Sequence, residues 1–131
     1  MLNKLNIDDF ELYLFNPRNK TLAITAAFTE KQPILLDLLV IPDITLGEGL
    51  IGKAAKSLVA QSIEDLRLNS DVEQNKSYNL SAFIVPIVTD DKLIGVIYCA
   101  SKMVAAFTLQ LQKSLNTISS ITAIKMEKIG Q

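Results

Sequence analysis

The sequence predicts an α+β domain: a central antiparallel sheet of five to six strands with helices on its faces. Two pairs of β-rich runs, each pair joined by a short turn sequence, have hairpin connectivity, and a long amphipathic helix closes the chain. With 131 residues the chain fits one domain, since a chain of this size buries about two thirds of its unfolded surface.

FELYLF (Phe10 to Phe15) and TLAITAAF (Thr21 to Phe28) form the first hairpin across NPRNK, whose proline and asparagines are turn chemistry. TEKQPILLDLLVIPDIT is limited by Pro33 and Pro42 and reads as irregular, ending in a strand near Leu38 to Ile41. A short helix over Gly52 to Leu58 and a strand over Val59 to Ile63 follow. DLRLNSDVEQNKSYN is a long polar segment with a turn of helix around Asp71 to Lys76, and loops of this length in compact domains tend to be functional. LSAFIVPIV and LIGVIYCAS form the second hairpin across TDDK, and Pro86 implies a bulge or an edge position. The closing helix starts at Thr108 as N-cap, repeats apolar residues at Leu111, Leu115, Ile118 and Ile121, and stops at Gly130.

The 13 basic and 14 acidic residues give a net charge of -1. No block of like charge offers a footprint to nucleic acid or to a membrane surface, so neither is expected as a partner. No signal peptide and no run of roughly 18 apolar residues is visible, which reads as a soluble, cytoplasmic chain. Histidine is absent, which removes Ser-His-Asp and Cys-His catalysis and His-built metal sites. Cys99, the single cysteine, stands in the apolar run GVIYCAS as a core residue. The pairs Asp8-Asp9, Glu64-Asp65 and Asp90-Asp91 sit at run ends, where turn and capping roles are the default. The expectation is no enzyme and no cofactor.

LGEGLIGKAAKS holds Gly47, Gly49 and Gly52 in G-x-G-x-x-G spacing, with Asp65 at about the distance of a ribose-binding acid. A dinucleotide site needs a helix long enough for a parallel crossover, and only Lys53 to Ser57 separate Gly52 from the next strand-like run. Pro42, Asp43 and Thr45 also break the preceding run before the first glycine.

ITLGEGLIGKAAKS, SIEDLR, SAFIVPIVTDDKLIGVIYCASK and FTLQLQKSL, in this order, resemble the GAF domain family, the small-molecule-sensing and dimerising modules of signalling proteins. The resemblance covers roughly Asp8 to Ile129 and implies a GAF-like (PAS-like) fold. It implies that the glycines lead a strand into a short helix at the pocket wall, Gly47 and Gly49 at positive φ and Gly52 for close packing. Cyclic-nucleotide-binding members carry an acidic pair where Leu111 and Gln112 stand, bilin- and haem-binding members need a pocket Cys or His, and the free methionine sulfoxide reductases of this fold use several cysteines. The resemblance also implies a helix before the first strand where only Met1 to Ile7 precede Asp8, so the chain reads as a fragment of a longer signalling protein with an output domain.

A two-residue turn at Asp90-Asp91 pairs Thr89 with Lys92, and that register sets Phe83 opposite Tyr98 and Ser81 opposite Ala100 on one face. The other face, with Ala82, Gly95 and Cys99, is assigned to the closing helix through Ser119, Ser120 and Ala123. The resemblance places ligand contacts at Leu50, Ile51, Asn79 and Tyr98. The candidate ligand site is therefore Leu50, Ile51, Asn79, Ser81, Phe83 and Tyr98, without metal. The expected function is non-catalytic sensing of an unknown small molecule, coupled through terminal helices to an output domain. The alternative is a dimerising module with a closed pocket. The closing helix, about twenty residues and so about 30 Å long, should expose Ile124, Met126 and Ile129 and pair in a homodimer, unless Ile124 and Ile129 pack back on Leu2 and Leu5.

Overall fold

The computed structural model describes residues 7–29, 32–33, 41–69 and 79–129, without the side chains of 32 and 127–129. β1 (Asp9–Asn16) and β2 (Thr21–Thr29) form a hairpin, and the short β3 (Gln32–Pro33) and β4 (Ile44–Thr45) both pair with β2. α1 (Gly49–Ser57), β5 (Gln61–Ile63), β6 (Ser81–Thr89), β7 (Lys92–Ser101) and α2 (Leu109–Ile129) follow. The sheet runs β3-β2-β1-β7-β6-β5, with β4 beside β2 and antiparallel pairing throughout. The expected α+β architecture stands, and β1, the first strand among the described residues, lies inside the sheet between β2 and β7.

α1 starts at Gly49, ahead of the expected Gly52. It ends where Leu58 takes a left-handed φ of 61° and its N–H bonds the Ala54 carbonyl at 3.0 Å. That reversal confines β5 to Gln61–Ile63. The strand expected near Leu38 to Ile41 lies outside the described residues except for Ile41, which belongs to no strand. The helical turn at Asp71 to Lys76, the stop at Gly130 and the contacts with Leu2 and Leu5 lie outside them too.

The glycine motif makes a turn into α1. Gly47 and Gly49 have φ of 89° and 67°, and a Cβ on Gly52 would lie 2.6 Å from the Thr45 carbonyl oxygen. Asp65, at the spacing of a ribose-binding acid, instead caps the 3-10 turn Leu66–Leu68, accepting the Arg67 N–H at 3.0 Å and pairing with its guanidinium at 2.7 Å.

In the second hairpin Asp90 and Asp91 adopt φ of 50° and 62°, and Thr89 faces Lys92 as expected. The register then shifts. Val88 faces Leu93 but Ile87 faces Gly95, so Ile94 is an extra residue in β7. Beyond this bulge Phe83 faces Cys99, Ile84 faces Tyr98 and Ser81 faces Ser101. The expected pairs Phe83 with Tyr98 and Ser81 with Ala100 are therefore wrong by one residue, and a one-residue slip exchanges the faces.

One face carries Phe83, Val85, Ile87, Ile97 and Cys99 and packs against Phe107, Leu111 and Leu115 leading into and along α2. The other carries Tyr13, Leu22, Ile84 and Val96 beneath Ala54 and Ala55 of α1. Gly95 serves neither helix, since a Cβ there would lie 2.2 Å from the carbonyl oxygen of Tyr13; the glycine admits β1, not α2 as expected.

Thr108 caps α2 as expected, its Oγ1 accepting the Leu111 N–H at 3.2 Å. The buried stripe is Leu111, Leu115, Ser119 and Ala123, whereas Ile118 and Ile121, expected inside, are each 50% exposed. Ser120 is exposed as well. Ser119 donates to the Pro86 carbonyl at 3.1 Å. β5 reaches only Ala82 to Ile84, so Pro86 sits where β6 has become an edge, next to the bulge. Among the described residues no helix is long and apolar enough to cross a membrane.

Candidate functional site

The face turned away from α2 carries a half-buried acid. Because β1 is an interior strand, Asp9, Glu11 and Tyr13 project to that face beside Ala100, Tyr98 and Val96 of β7. The Tyr13 hydroxyl donates to Glu11 Oε1 at 2.5 Å. Burial holds the Glu11 carboxyl above the usual carboxylate range; the Tyr13 hydrogen bond opposes this, and the charge of Asp9 adds to it. The Tyr13 and Tyr98 phenols are pushed upward, first by burial and then by the charge of Glu11, so both keep their protons at neutral pH. Among the described residues Glu11 has no cationic partner.

α1 walls this face. Leu50 and Ile51, in its first turn, pack in the cluster that holds Tyr13 and Tyr98, and Leu50 and Tyr98 also meet Leu66, Ala82 and Ala100. Asn79, just before β6 and nearly buried, donates from Nδ2 to Asp9 Oδ2 at 2.5 Å. Four of the six candidate residues thus converge: Leu50, Ile51 and Tyr98 directly, and Asn79 through Asp9.

Ser81 and Phe83 do not join them. The bulge at Ile94 turns both toward α2. Ser81 Oγ donates to the Met103 carbonyl at 2.5 Å and accepts the Ala106 N–H at 3.3 Å, and Phe83 stacks on Phe107 with ring centroids 6.2 Å apart. Cys99 lies on that same face, its thiol pushed up to about 12 by burial.

Glu11 and Tyr13 escaped the sequence reading. In FELYLF the alternation sets Phe10 and Leu12 against Glu11 and Tyr13, and an acid on the second face of an opening hairpin reads as solvent-facing. An isolated Gly95 within a strand-like run was the available signal for a bulge or a close backbone approach.

A separate apolar concavity of about 560 Å³ lies at the other end of β1, lined by Leu14, Phe15, Leu93, Ile94 and Met126 with Pro17 and Lys92. It lacks convergent polar groups to orient a ligand. Among the described residues no three His, Cys, Asp or Glu side chains gather to hold a metal ion.

No protein-family model matches the sequence, and no curated protein matches it. Solved structures do. The GAF domain of a phosphoenolpyruvate-protein phosphotransferase from Coxiella burnetii superposes with a TM-score of 0.80 at 15% identity, covering 96% of this chain and 75% of that one. The chain has a GAF-like fold. The type II free methionine-R-sulfoxide reductase of Thermoplasma acidophilum superposes with a TM-score of 0.77 at 22% identity over 94% of this chain and 80% of the other. The free methionine-R-sulfoxide reductase of Neisseria meningitidis, solved with its substrate, gives 0.77 and 22% over 91% of this chain and 66% of its own. These reductases overturn the expectation of no enzyme: the GAF-like fold seen here is also that of catalysts, and a missing histidine and a single cysteine do not decide the matter.

Proposed function

We propose that this chain is a small-molecule-binding sensory domain whose ligand rests on the sheet face bearing Glu11, Tyr13 and Tyr98, under Leu50 and Ile51. The observation that carries this reading is the convergence of a half-buried acid and two phenols with an apolar wall, the composition of a small-ligand pocket. In this reading an output domain would sense ligand binding through α2, which packs on the opposite face of the same strands. A thermal-shift screen of metabolites should find a compound that raises the melting temperature of the wild type and leaves Tyr98→Ala unmoved. The absence of any hit across broad chemical classes counts against the proposal.

Assembly belongs to the same reading. Ile118, Ile121 and Ile124, at 50%, 50% and 56% exposure, form an outward stripe on α2 at three-residue spacing, and such stripes favour helix pairing. Met126, expected to be free, packs against the core beneath α2, and the Ile129 side chain lies outside the described residues. A homodimer that dissociates on Ile121→Glu with Ile124→Glu, read by analytical ultracentrifugation, is the expected result; a monomeric wild type at high concentration defeats it.

The likeness to the free methionine-R-sulfoxide reductases supports a second, catalytic reading of the same fold. Methionine appearing when the purified chain is incubated with free methionine-R-sulfoxide and a dithiol would establish it.

A further inference from the structure

We infer that the ligand of the Glu11 face is a small organic cation that carries no carboxylate. The inference rests on the pocket reading above and adds the chemical class. Glu11 is half-withdrawn from water, and among the described residues the hydrogen bond to its carboxylate comes from a neutral phenol, Tyr13. A carboxylate in such surroundings is normally matched by a lysine or arginine, and among the described residues none reaches it. Asp9 projects to the same face and adds negative potential. An anion, or the carboxylate end of a zwitterion, would meet repulsion from both acids. An ammonium group would supply the missing counter-charge to Glu11. The rings of Tyr13 and Tyr98 add aromatic faces to which cations are attracted, and Leu50 and Ile51 offer apolar contact to an alkyl portion.

Three probes of matched size test this against the ¹⁵N-labelled full chain: n-butylammonium chloride, n-butanol and sodium butyrate, followed by the backbone amide shifts of Glu11, Tyr13 and Tyr98. Butylammonium should saturate these shifts at a concentration at least about tenfold below that needed for butanol, and butyrate should not produce them. Glu11→Gln should bring butylammonium down to the level of butanol while the rest of the spectrum stays in place. If that variant does not fold, Tyr98→Leu should weaken butylammonium more than butanol. Equal binding of butanol and butylammonium, or any preference for butyrate, overturns the cation class and leaves the pocket standing. The class also falls if the butylammonium preference persists in Glu11→Gln, or in Tyr98→Leu where that variant stands in. If none of the three moves these amides, the pocket reading fails and the inference falls with it.

Discussion

On the α2 face, buried serines are satisfied by backbone groups: Ser81 by Met103 and Ala106, Ser101 by the Met103 N–H at 3.1 Å, Ser119 by Pro86. On the α1 face the conspicuous polar group, Glu11, bonds a side chain two residues along its own strand and has no counter-charge among the described residues. The first arrangement fixes structure, because a buried hydroxyl satisfied by backbone costs little. The second leaves an acid whose charge is opposed by its surroundings, a cost that folding alone does not require. The difference separates a face whose buried serines are satisfied by backbone from one, equally packed beneath α1, that keeps an acid without a counter-charge among the described residues.

Phe83→Ala should break the packed face hardest. The ring is 2% exposed and stacked on Phe107, and losing it should destabilise the domain by about 3–5 kcal/mol in urea unfolding. A loss comparable to that of a surface residue would show that the ring is not the centre of the α2 core. Gly95→Ala acts on the strand pairing that both faces share. The new methyl would meet the Tyr13 carbonyl of β1, and overpacking of this kind costs about 1–3 kcal/mol. Separation of β1 from β7 should appear as faster amide exchange at Glu11 and Tyr13, and unchanged exchange there refutes the close approach.

Glu11→Gln should have the smallest effect and the opposite sign. Its folded-state pKa is raised above the ordinary value of 4.5, so the native state holds this proton more tightly than the unfolded chain does. The stability this confers is complete below about 4.5, is lost as pH rises through the raised value, and is absent above it. The variant should therefore melt above the wild type at about pH 8 and together with it at about pH 4. A wild type that gains stability relative to the variant on raising the pH contradicts the direction of the shift. Asp9, Tyr13 and Tyr98 are the other titratable groups around Glu11, and the two phenols stay protonated over this range.

Much of the fold was legible because its signals are local. The turn residues Asp90 and Asp91, the cap at Thr108 and the glycines before α1 each act within a few residues of themselves, and each does in the structure what its chemistry requires. The site was legible in part, because Leu50, Ile51 and Tyr98 depend on α1 lying over the sheet. The remainder turned on non-local facts. One extra residue, Ile94, moved Ser81 and Phe83 to the opposite face, and Pro86 together with Gly95 marked the place without giving the direction of the slip. Ser119 and Ala123 meet the sheet as expected, but Ile118 and Ile121, which share the apolar character of the buried stripe, stay outside because β6 and α2 come close enough for a serine to reach a strand carbonyl. Glu11 gained its environment only when β1 was flanked on both sides.

The short reach of β5 leaves that edge of β6 beyond Ile84 without a strand beside it among the described residues. The stretch is buried through Ile87 rather than bare: Pro86 has no amide hydrogen to leave unpaired, and its carbonyl is held by the Ser119 hydroxyl at 3.1 Å. A helix thus closes a margin that another strand would otherwise fill, and the proline removes the donor that burial there would strand.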